Sequence, residues 1–332
     1  MELRKAGRTR DEIQRETGQV VAVDGVTFDV PAGSFFVVMG LSGSGKSTLV
    51  RCLNRLIEPT VGQVRVDGED VLALDEAGLR ELRRTRIGMV FQHFALLPHC
   101  TVRENVEFGL KIRGMVPEER RAAADEALGV VGLSRWGGHR PDALSGGMQQ
   151  RVGLARALAS QTEVLLMDEP FSALDPLIRK DMQDEMVELQ RRFRKTIVFI
   201  THDLHEALRL GDRVAIMKDG RLVQSDTPEE IVRSPEDPYV AAFTQDVDRG
   251  RVVTAATLMR DPMSSHRTAQ ATVSAEAPIA DAYAACGEGL PVAVVDADGR
   301  CVGSLHPADV FSELARSPET EASSADRPAI PA

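Results

Sequence analysis

One short stretch constrains the fold of this chain more than any other. Residues 40–48 read GLSGSGKST and match the pattern G-x-x-x-x-G-K-[ST] directly after an apolar run at residues 35–39. Glycines at these positions let the backbone curl around a phosphate chain so that successive N–H groups point inward, and the helix that follows adds its positive N-terminal dipole. Lys46 is predicted to neutralise phosphate charge, and Ser47 to place a hydroxyl on Mg²⁺.

The alternative for this stretch is a glycine-rich strand-to-helix turn that carries a lysine by chance. At ordinary glycine frequency, such a match arises in about one per cent of chains of this length. The apolar run before the stretch and the helix-like segment after it lower that figure further. The sequence therefore predicts a nucleotide-binding site here.

Further apolar runs at residues 164–167 and 197–200 have the character of strands buried on both faces of a parallel sheet. Helix-like segments lie between the runs, which predicts a doubly wound α/β core. Asp-Gly pairs at residues 67–68 and 219–220 predict hairpins, so antiparallel strands should flank the core. Residues 20–23 and 26–30 are predicted as strands broken by a turn at Asp24-Gly25.

Polar residues follow two of the apolar runs at the point where each ends. Asp168 and Glu169 follow the run at 164–167, and His202 follows the next one. Because the carboxyl ends of parallel strands meet at one edge of a sheet, these side chains are expected near Lys46. Asp168 is predicted to hold Mg²⁺ or its water, Glu169 to polarise an attacking water, and His202 to contact the γ-phosphate. Solvated carboxylates and a surface histidine are the alternatives.

Composition excludes several classes of protein. The chain of 332 residues has a formal net charge of −10, which argues against a protein that coats nucleic acid. Its four cysteines form no C-x-x-C pair, so neither a zinc ribbon nor a redox motif is expected. The N-terminus lacks the apolar core of a signal peptide, and no run of ~18 apolar residues is long enough to cross a membrane.

Composition and pattern change again beyond about residue 250. Residues 291–296 and 299–305 predict a strand–turn–strand unit followed by a helix from Pro307, and residues 317–332 predict a disordered tail. Near the start, residues 9–16 predict a short amphipathic helix with Ile13 as its one large apolar side chain. The predicted organisation is an extension at 1–19, a large domain at 20–250, a small α/β module at 251–316 and the tail.

Residues 144–151, LSGGMQQR, resemble the LSGGQ signature of ABC-type ATPases and lie just upstream of the Asp168 strand, as in that family. The resemblance covers roughly residues 20–244. It implies a P-loop NTPase domain of the ABC type, with a helical subdomain and an antiparallel β flank. It also implies a homodimer that encloses two ATP molecules, in which Ser145, Gly146 and Gly147 face the γ-phosphate held by the other copy. A helix N-cap with a glycine turn is the alternative for this segment alone.

The resemblance extends to further positions. Residues 91–92 resemble the Q-loop, which places Gln92 near Mg²⁺ and the lytic water, and residues 172–175 resemble the D-loop. Residues 92–101 are then expected to dock a cytoplasmic loop of a permease. The family commonly stacks adenine on an aromatic residue upstream of the phosphate loop, but residues 16–19 hold none, so no adenine contact is assigned. The predicted residues are, for ATP, Gly40, Ser42, Gly43, Ser44, Gly45, Lys46, Ser47, Thr48, Ser145, Gly146, Gly147 and Asp175; for Mg²⁺, Ser47, Gln92 and Asp168; and for catalysis, Gln92, Glu169 and His202.

Several longer stretches resemble the ATP-binding subunits of glycine betaine/L-proline (quaternary amine) importers. They lie at residues 9–18, 39–48, 53–60, 171–179 and 243–251. The resemblance implies an ATPase that powers osmoprotectant uptake at the cytoplasmic face of the membrane, together with permease subunits and a separate substrate-binding protein, and with no nucleic acid. An amino-acid or other small-solute importer is the alternative, followed by an ABC ATPase outside transport.

In that subfamily the C-terminal domain is a tandem pair of CBS modules. Here residues 257–314 fit only one such module, with residues 291–305 as its central strands and Asp309 on the following helix. Sensing of ionic strength or nucleotide and a role restricted to dimer contact both stay open. Pairing with the module of a second copy could rebuild a full pair.

Overall fold

The computed structural model describes residues 2–92, 95–172, 174–261, 271–287 and 289–315. It divides into two compact units, Met1–Leu222 and Val223–Ala332. The strands are β1 Phe35–Met39, β2 Arg65–Val66, β3 Glu69–Asp70, β4 Ile87–Val90, β5 Val164–Asp168, β6 Thr196–Thr201, β7 Arg213–Lys218, β8 Arg221–Asp226, β9 Thr272–Ser274, β10 Val292–Val295 and β11 Cys301–Leu305.

Helices connect most of these strands. They are α1 Glu2–Lys5, α2 Arg10–Thr17, α3 Lys46–Leu53, α4 Glu76–Thr85, α5 Val102–Ile112, α6 Pro117–Val130, α7 Gly146–Ala159, α8 Pro176–Phe193, α9 Leu204–Leu210, α10 Pro228–Arg233, α11 Pro238–Thr244, α12 Ala255–Leu258, α13 Tyr283–Gly287 and α14 Pro307–Ala315. Among the described residues, no helix combines the length and apolarity that a membrane span requires.

A parallel sheet forms the centre of the first unit. Strands β4, β5, β6, β1 and β7 lie side by side in that order, and each neighbouring pair is parallel. Every residue of β1 is buried, as are the last four of β5. Burial on both faces explains why these strands are continuous apolar runs. The predicted α/β core is confirmed, and its strand order brings the carboxyl ends of β1, β5 and β6 to one edge.

The predicted strands at 20–23 and 26–30 are wrong, because the structure has no strand in this segment. A two-residue hairpin of type I′ needs positive φ at both central residues, and here Gly25 alone has it, at 66°. The segment is still partly buried: Phe28 stacks on Phe36 at 5.0 Å between ring centroids. Its apolar residues therefore cover the core without joining a ladder.

The two other Asp-Gly pairs do form the predicted hairpins. At residues 67–68 the φ angles are 50° and 82°, and at 219–220 they are 50° and 78°. The first pair joins the antiparallel strands β2 and β3, and the second joins β7 to β8. The N-terminal helix is also confirmed, as α2, where Thr9 and Glu12 form a capping box and Ile13 is buried.

The second unit has a core of its own. Strand β10 pairs in parallel with β9 and antiparallel with β11. Ile279, Val294 and Val310 are completely buried in this core. The predicted strand pair and the helix from Pro307 are confirmed as β10, β11 and α14. The domain boundary near residue 250 and the CBS-like character stay predictions, and the predicted tail lies outside the described residues.

Ile279→Val is expected to lower the free energy of unfolding of the second unit by about 0.5–1.5 kcal/mol, because it removes one fully buried methylene. The change is measured by urea titration, with unfolding monitored by hydrogen exchange at the amides of β10 and β11. Ser312→Ala, at an exposed position of α14, is the control. Equal midpoints for the two variants would contradict an independent core here.

Candidate functional site

The loop at residues 40–45 leaves the end of β1 and enters α3. Gly45 lies at the N-cap of α3 with φ 101°, in the left-handed region. A Cβ atom at this position would lie 2.2 Å from the backbone oxygen of Ala22, so only glycine fits. The helix predicted to follow the glycine-rich stretch is confirmed as α3, which begins at Lys46.

Lys46 occupies the concave side of this loop and is 4% exposed. Its Nζ donates to the carbonyl oxygens of Gly40 at 2.8 Å and Leu41 at 3.0 Å, and lies 3.9 Å from Glu169 Oε1. Burial lowers the pKa of Lys46, while the nearby carboxylates of Glu169 and Asp168 oppose that shift. The ammonium is thus held at the loop by carbonyls that a phosphate chain could replace.

The hydroxyl of Ser44 is also available to bind a phosphate group. Ser44 is 5% exposed, and its Oγ has no hydrogen-bond partner among the described residues. A buried hydroxyl without a partner costs free energy. A phosphate oxygen could accept this hydrogen bond beside the N-terminus of α3, so the loop fits a phosphorylated ligand.

Asp168 is completely buried at the end of β5, and both of its carboxylate oxygens have partners. Ser47 Oγ donates to Oδ1 at 2.7 Å, and Arg51 Nη2 donates to Oδ2 at 3.0 Å. Sequence reasoning missed Arg51. A signal was available, because Ser47 and Arg51 lie four residues apart and therefore on one face of α3.

Glu169 lies where the predicted residues converge. Gln92 Nε2 donates to its Oε2 at 3.4 Å, and His202 Nδ1 lies 3.2 Å from the same oxygen. Lys46 faces the other oxygen. The φ of Glu169 is 46°, which is rare for a residue other than glycine and is often found at functional sites. The sheet edge thus brings together side chains that lie far apart in the sequence.

The oxygen donors around Asp168 fit Mg²⁺. They are the Ser47 hydroxyl and the Asp168 carboxylate, which hydrogen-bond to each other. The Gln92 side chain donates from Nε2 to Glu169, and its role toward Mg²⁺ stays a prediction. Mg²⁺ is usually held by one or two carboxylates together with waters and substrate phosphates.

The segment predicted to face a second copy lies elsewhere in the first unit. Ser145 is the exposed N-cap of α7, and its Oγ accepts from Met148 N at 3.4 Å. The helix begins at Gly146, directly after this N-cap. A Cβ at Gly147 would meet the Ile178 side chain at 2.6 Å, so this glycine also serves packing within the chain.

Asp175, the last residue of the predicted D-loop, caps α8. Its Oδ1 accepts from Leu177 N and Ile178 N, each at 3.1 Å. No described hydrogen bond or ion pair connects Asp175 or the glycines at 146–147 with Lys46. Residue 173 of the D-loop and residues 93–94 of the predicted docking segment lie outside the described residues.

Comparison with known proteins extends these observations. Residues 23–172 match the family model described as ABC transporter. The glycine betaine transport ATP-binding protein OpuAA of Bacillus subtilis is 56% identical over 254 residues, covering 76% of this chain and 61% of its own length. The trimethylamine N-oxide transport system ATP-binding protein TmoW of Pelagibacter ubique is 48% identical over 297 residues, covering 90% of this chain and 87% of its own. This chain thus spans less than two thirds of OpuAA but most of TmoW.

A solved structure of an ABC transporter cassette is also similar to this chain. The dimeric structure of MJ0796, a bacterial ABC transporter cassette, has a TM-score of 0.59 and 39% sequence identity, covering 62% of this chain and 90% of that one. A parallel α/β sheet with a phosphate-binding loop at its carboxyl edge defines the class of P-loop nucleotide-binding proteins. Within that class, this chain belongs to the family of ABC transporter ATP-binding proteins.

Proposed function

We propose that this chain is the ATP-hydrolysing subunit of an ABC importer for glycine betaine, proline or a related quaternary amine. The observation that carries the proposal is the convergence of Lys46, Gln92 and His202 on the carboxylate of Glu169. The relatives named for glycine betaine transport support the solute class.

The proposed chemistry follows from where the charges lie. Lys46 and the N-terminus of α3 bind the phosphate chain of ATP. Glu169 orients the attacking water and accepts its proton, while His202 contacts the γ-phosphate. Mg²⁺, held by Ser47, Asp168 and Gln92, would neutralise the charge that develops between the β- and γ-phosphates. Little covalent chemistry is then left for the protein.

Two copies are proposed to act together. Ser145 and Gly146 are exposed at the N-terminus of α7, where backbone N–H groups favour an anion. In the paired state they would close over the γ-phosphate bound to the other copy. The solved dimer of MJ0796, including a post-hydrolysis state with ADP and Pi, supports this arrangement. Closure of the two copies would act on permease subunits. The chain is therefore proposed to work at the cytoplasmic face of the membrane.

The small module at residues 251–316 is proposed to be CBS-like. Its three-stranded sheet and buried core support a folded regulatory or dimer-contact module. Measuring ATPase activity of the assembled transporter against salt concentration, with and without the residues after 251, distinguishes these two roles. A changed salt dependence supports sensing, whereas an unchanged profile supports contact alone.

A second candidate solute is trimethylamine N-oxide. It is favoured by one observation: this chain spans 87% of the TmoW relative but 61% of OpuAA. Glycine betaine and trimethylamine N-oxide both carry a methylated nitrogen that an aromatic cage recognises. Such a cage would belong to the separate binding protein, since this chain is only 4% aromatic.

Reconstituted vesicles test the proposal. The chain is assembled with a permease and a binding protein of a quaternary amine importer, and ATP-driven uptake of labelled glycine betaine, proline and trimethylamine N-oxide is measured. Glycine betaine is expected to be taken up best. Uptake of trimethylamine N-oxide alone would favour the second candidate, and uptake restricted to other amino acids would overturn both.

A further inference from the structure

One guanidinium bridges two segments that border the candidate site. Arg179, in the first turn of α8, donates from Nη2 to the carbonyl oxygen of Leu174 at 3.2 Å. Its Nη1 lies 3.4 Å from Asp203 Oδ2, and its Nε lies 3.9 Å from Glu206 Oε1. Leu174 belongs to the loop before α8, whereas Asp203 directly follows His202 and Glu206 lies in α9. Arg179 therefore connects the D-loop to the segment that carries His202.

Glu206 extends this connection to the end of β6. It is 4% exposed and accepts a hydrogen bond from Thr201 Oγ1 at 2.6 Å. The same hydroxyl accepts from Asp203 N at 3.0 Å. Because Thr201 directly precedes His202, these bonds hold the backbone from which the imidazole projects. Burial raises the pKa of Glu206, while the hydrogen bond from Thr201 and the charge of Arg179 oppose that shift.

The network lies next to the candidate catalytic groups. A small surface depression is lined by Glu169, Ser172 and His202 together with Arg179, Asp203 and Glu206. The His202 side chain is 56% exposed and lies 3.2 Å from Glu169. An exposed imidazole is aligned largely by its backbone, so the hydrogen bonds around Thr201 determine where it points.

We infer that Arg179 is a positioning residue that links the loop at residues 174–175 to the orientation of His202. A guanidinium presents its N–H donors in a rigid planar fork, so displacement of the Leu174 carbonyl shifts the carboxylates of Asp203 and Glu206. A second copy that contacts this loop thereby realigns His202 against Glu169. The inference rests on the proposed hydrolysis of ATP by paired copies.

Arg179→Met tests the link, because it keeps much of the side-chain length and removes every donor. It is expected to lower kcat about tenfold through misplacement of a reacting group, with the Kd for ATP changed less than about twofold. Arg179→Lys keeps the charge but not the fork, and is expected to recover part of the rate. Arg86→Met is the matched control, because the Arg86 side chain is as exposed as that of Arg179 and forms ion pairs with Asp67 and Glu69 at the β2–β3 hairpin.

A second readout needs no hydrolysis. In the nucleotide-free protein with ¹⁵N-labelled histidine, the imidazole resonances of His202, assigned with His202→Ala, should move in Arg179→Met and stay in Arg86→Met. Glu206→Gln, which keeps the shape of the side chain, should move them as well. If Arg179→Met does not fold, Arg179→Lys and Glu206→Gln serve for both measurements.

Two results would overturn the inference. One is an unchanged His202 resonance in the Arg179 and Glu206 variants, and the other is an equal loss of kcat in Arg86→Met. If wild type itself does not hydrolyse ATP, the proposed function fails. The imidazole resonances of the nucleotide-free protein then still decide whether Arg179 positions His202.

Discussion

Glu169→Gln is expected to abolish turnover while ATP stays bound. The amide keeps the shape of the carboxylate and its place between Gln92 and His202, but it cannot accept a proton from water. Loss of a general base of this kind lowers the rate about a thousandfold. Because ATP is no longer consumed, paired copies with two bound ATP molecules should accumulate.

Steady-state phosphate release and size-exclusion chromatography in the presence of ATP measure these two effects. Glu163→Gln is the matched control, since Glu163 is exposed just before β5 while Glu169 directly follows that strand. Hydrolysis at the wild-type rate in Glu169→Gln would show that this carboxylate is not the general base. A variant that fails to bind ATP would instead indicate that Glu169 serves binding.

Lys46→Ala is expected to act one step earlier, on ATP binding itself. The buried ammonium lies at the loop with its Nζ on two backbone carbonyls, which is where the phosphate chain is proposed to bind. A charge-assisted hydrogen bond is worth up to ~3 kcal/mol, so the Kd for ATP should rise about a hundredfold. Hydrolysis is then lost because the site is empty at ordinary ATP concentrations.

Titration with a fluorescent ATP analogue measures this change, and thermal unfolding shows whether the loop tolerates the smaller side chain. Lys180→Ala is the control, because Lys180 is exposed on α8. An ATP affinity in Lys46→Ala equal to that of wild type would exclude the proposed role of the lysine. The two variants thus separate binding, through Lys46, from chemistry, through Glu169.

The sheet was predictable to the extent that its strands are buried on both faces. The runs at 35–39, 164–167 and 197–200 correspond to β1, β5 and β6 within one residue at each end. Equal burial of both faces makes such strands visible as continuous apolar sequence. The same reasoning failed at residues 20–30, where apolar residues cover the core as irregular chain. An apolar segment by itself does not reveal whether its backbone finds a ladder partner.

Residues of the candidate site could be predicted when they lie within a short, recognisable sequence pattern. The phosphate-binding loop, Asp168, Glu169 and His202 are each marked by a strand that ends in polar residues, so their meeting at one edge follows from parallel pairing. Arg51 and Arg179 carry no such mark. Each is an arginine on a helix in a chain with 40 lysines and arginines, and its partners are set by packing.

Local pattern in the chain was sufficient for the class of fold and for the nucleotide loop. Glycine spacing, apolar runs and the LSGG segment act over a few residues, and their consequences do not depend on distant parts of the molecule. Long-range packing was needed for the contacts that align the site. Arg51 reaches Asp168 and Arg179 reaches Glu206 only because helices α3, α8 and α9 pack where they do around the sheet. Such contacts depend on distances in the folded protein, and these distances cannot be read from a short stretch of sequence.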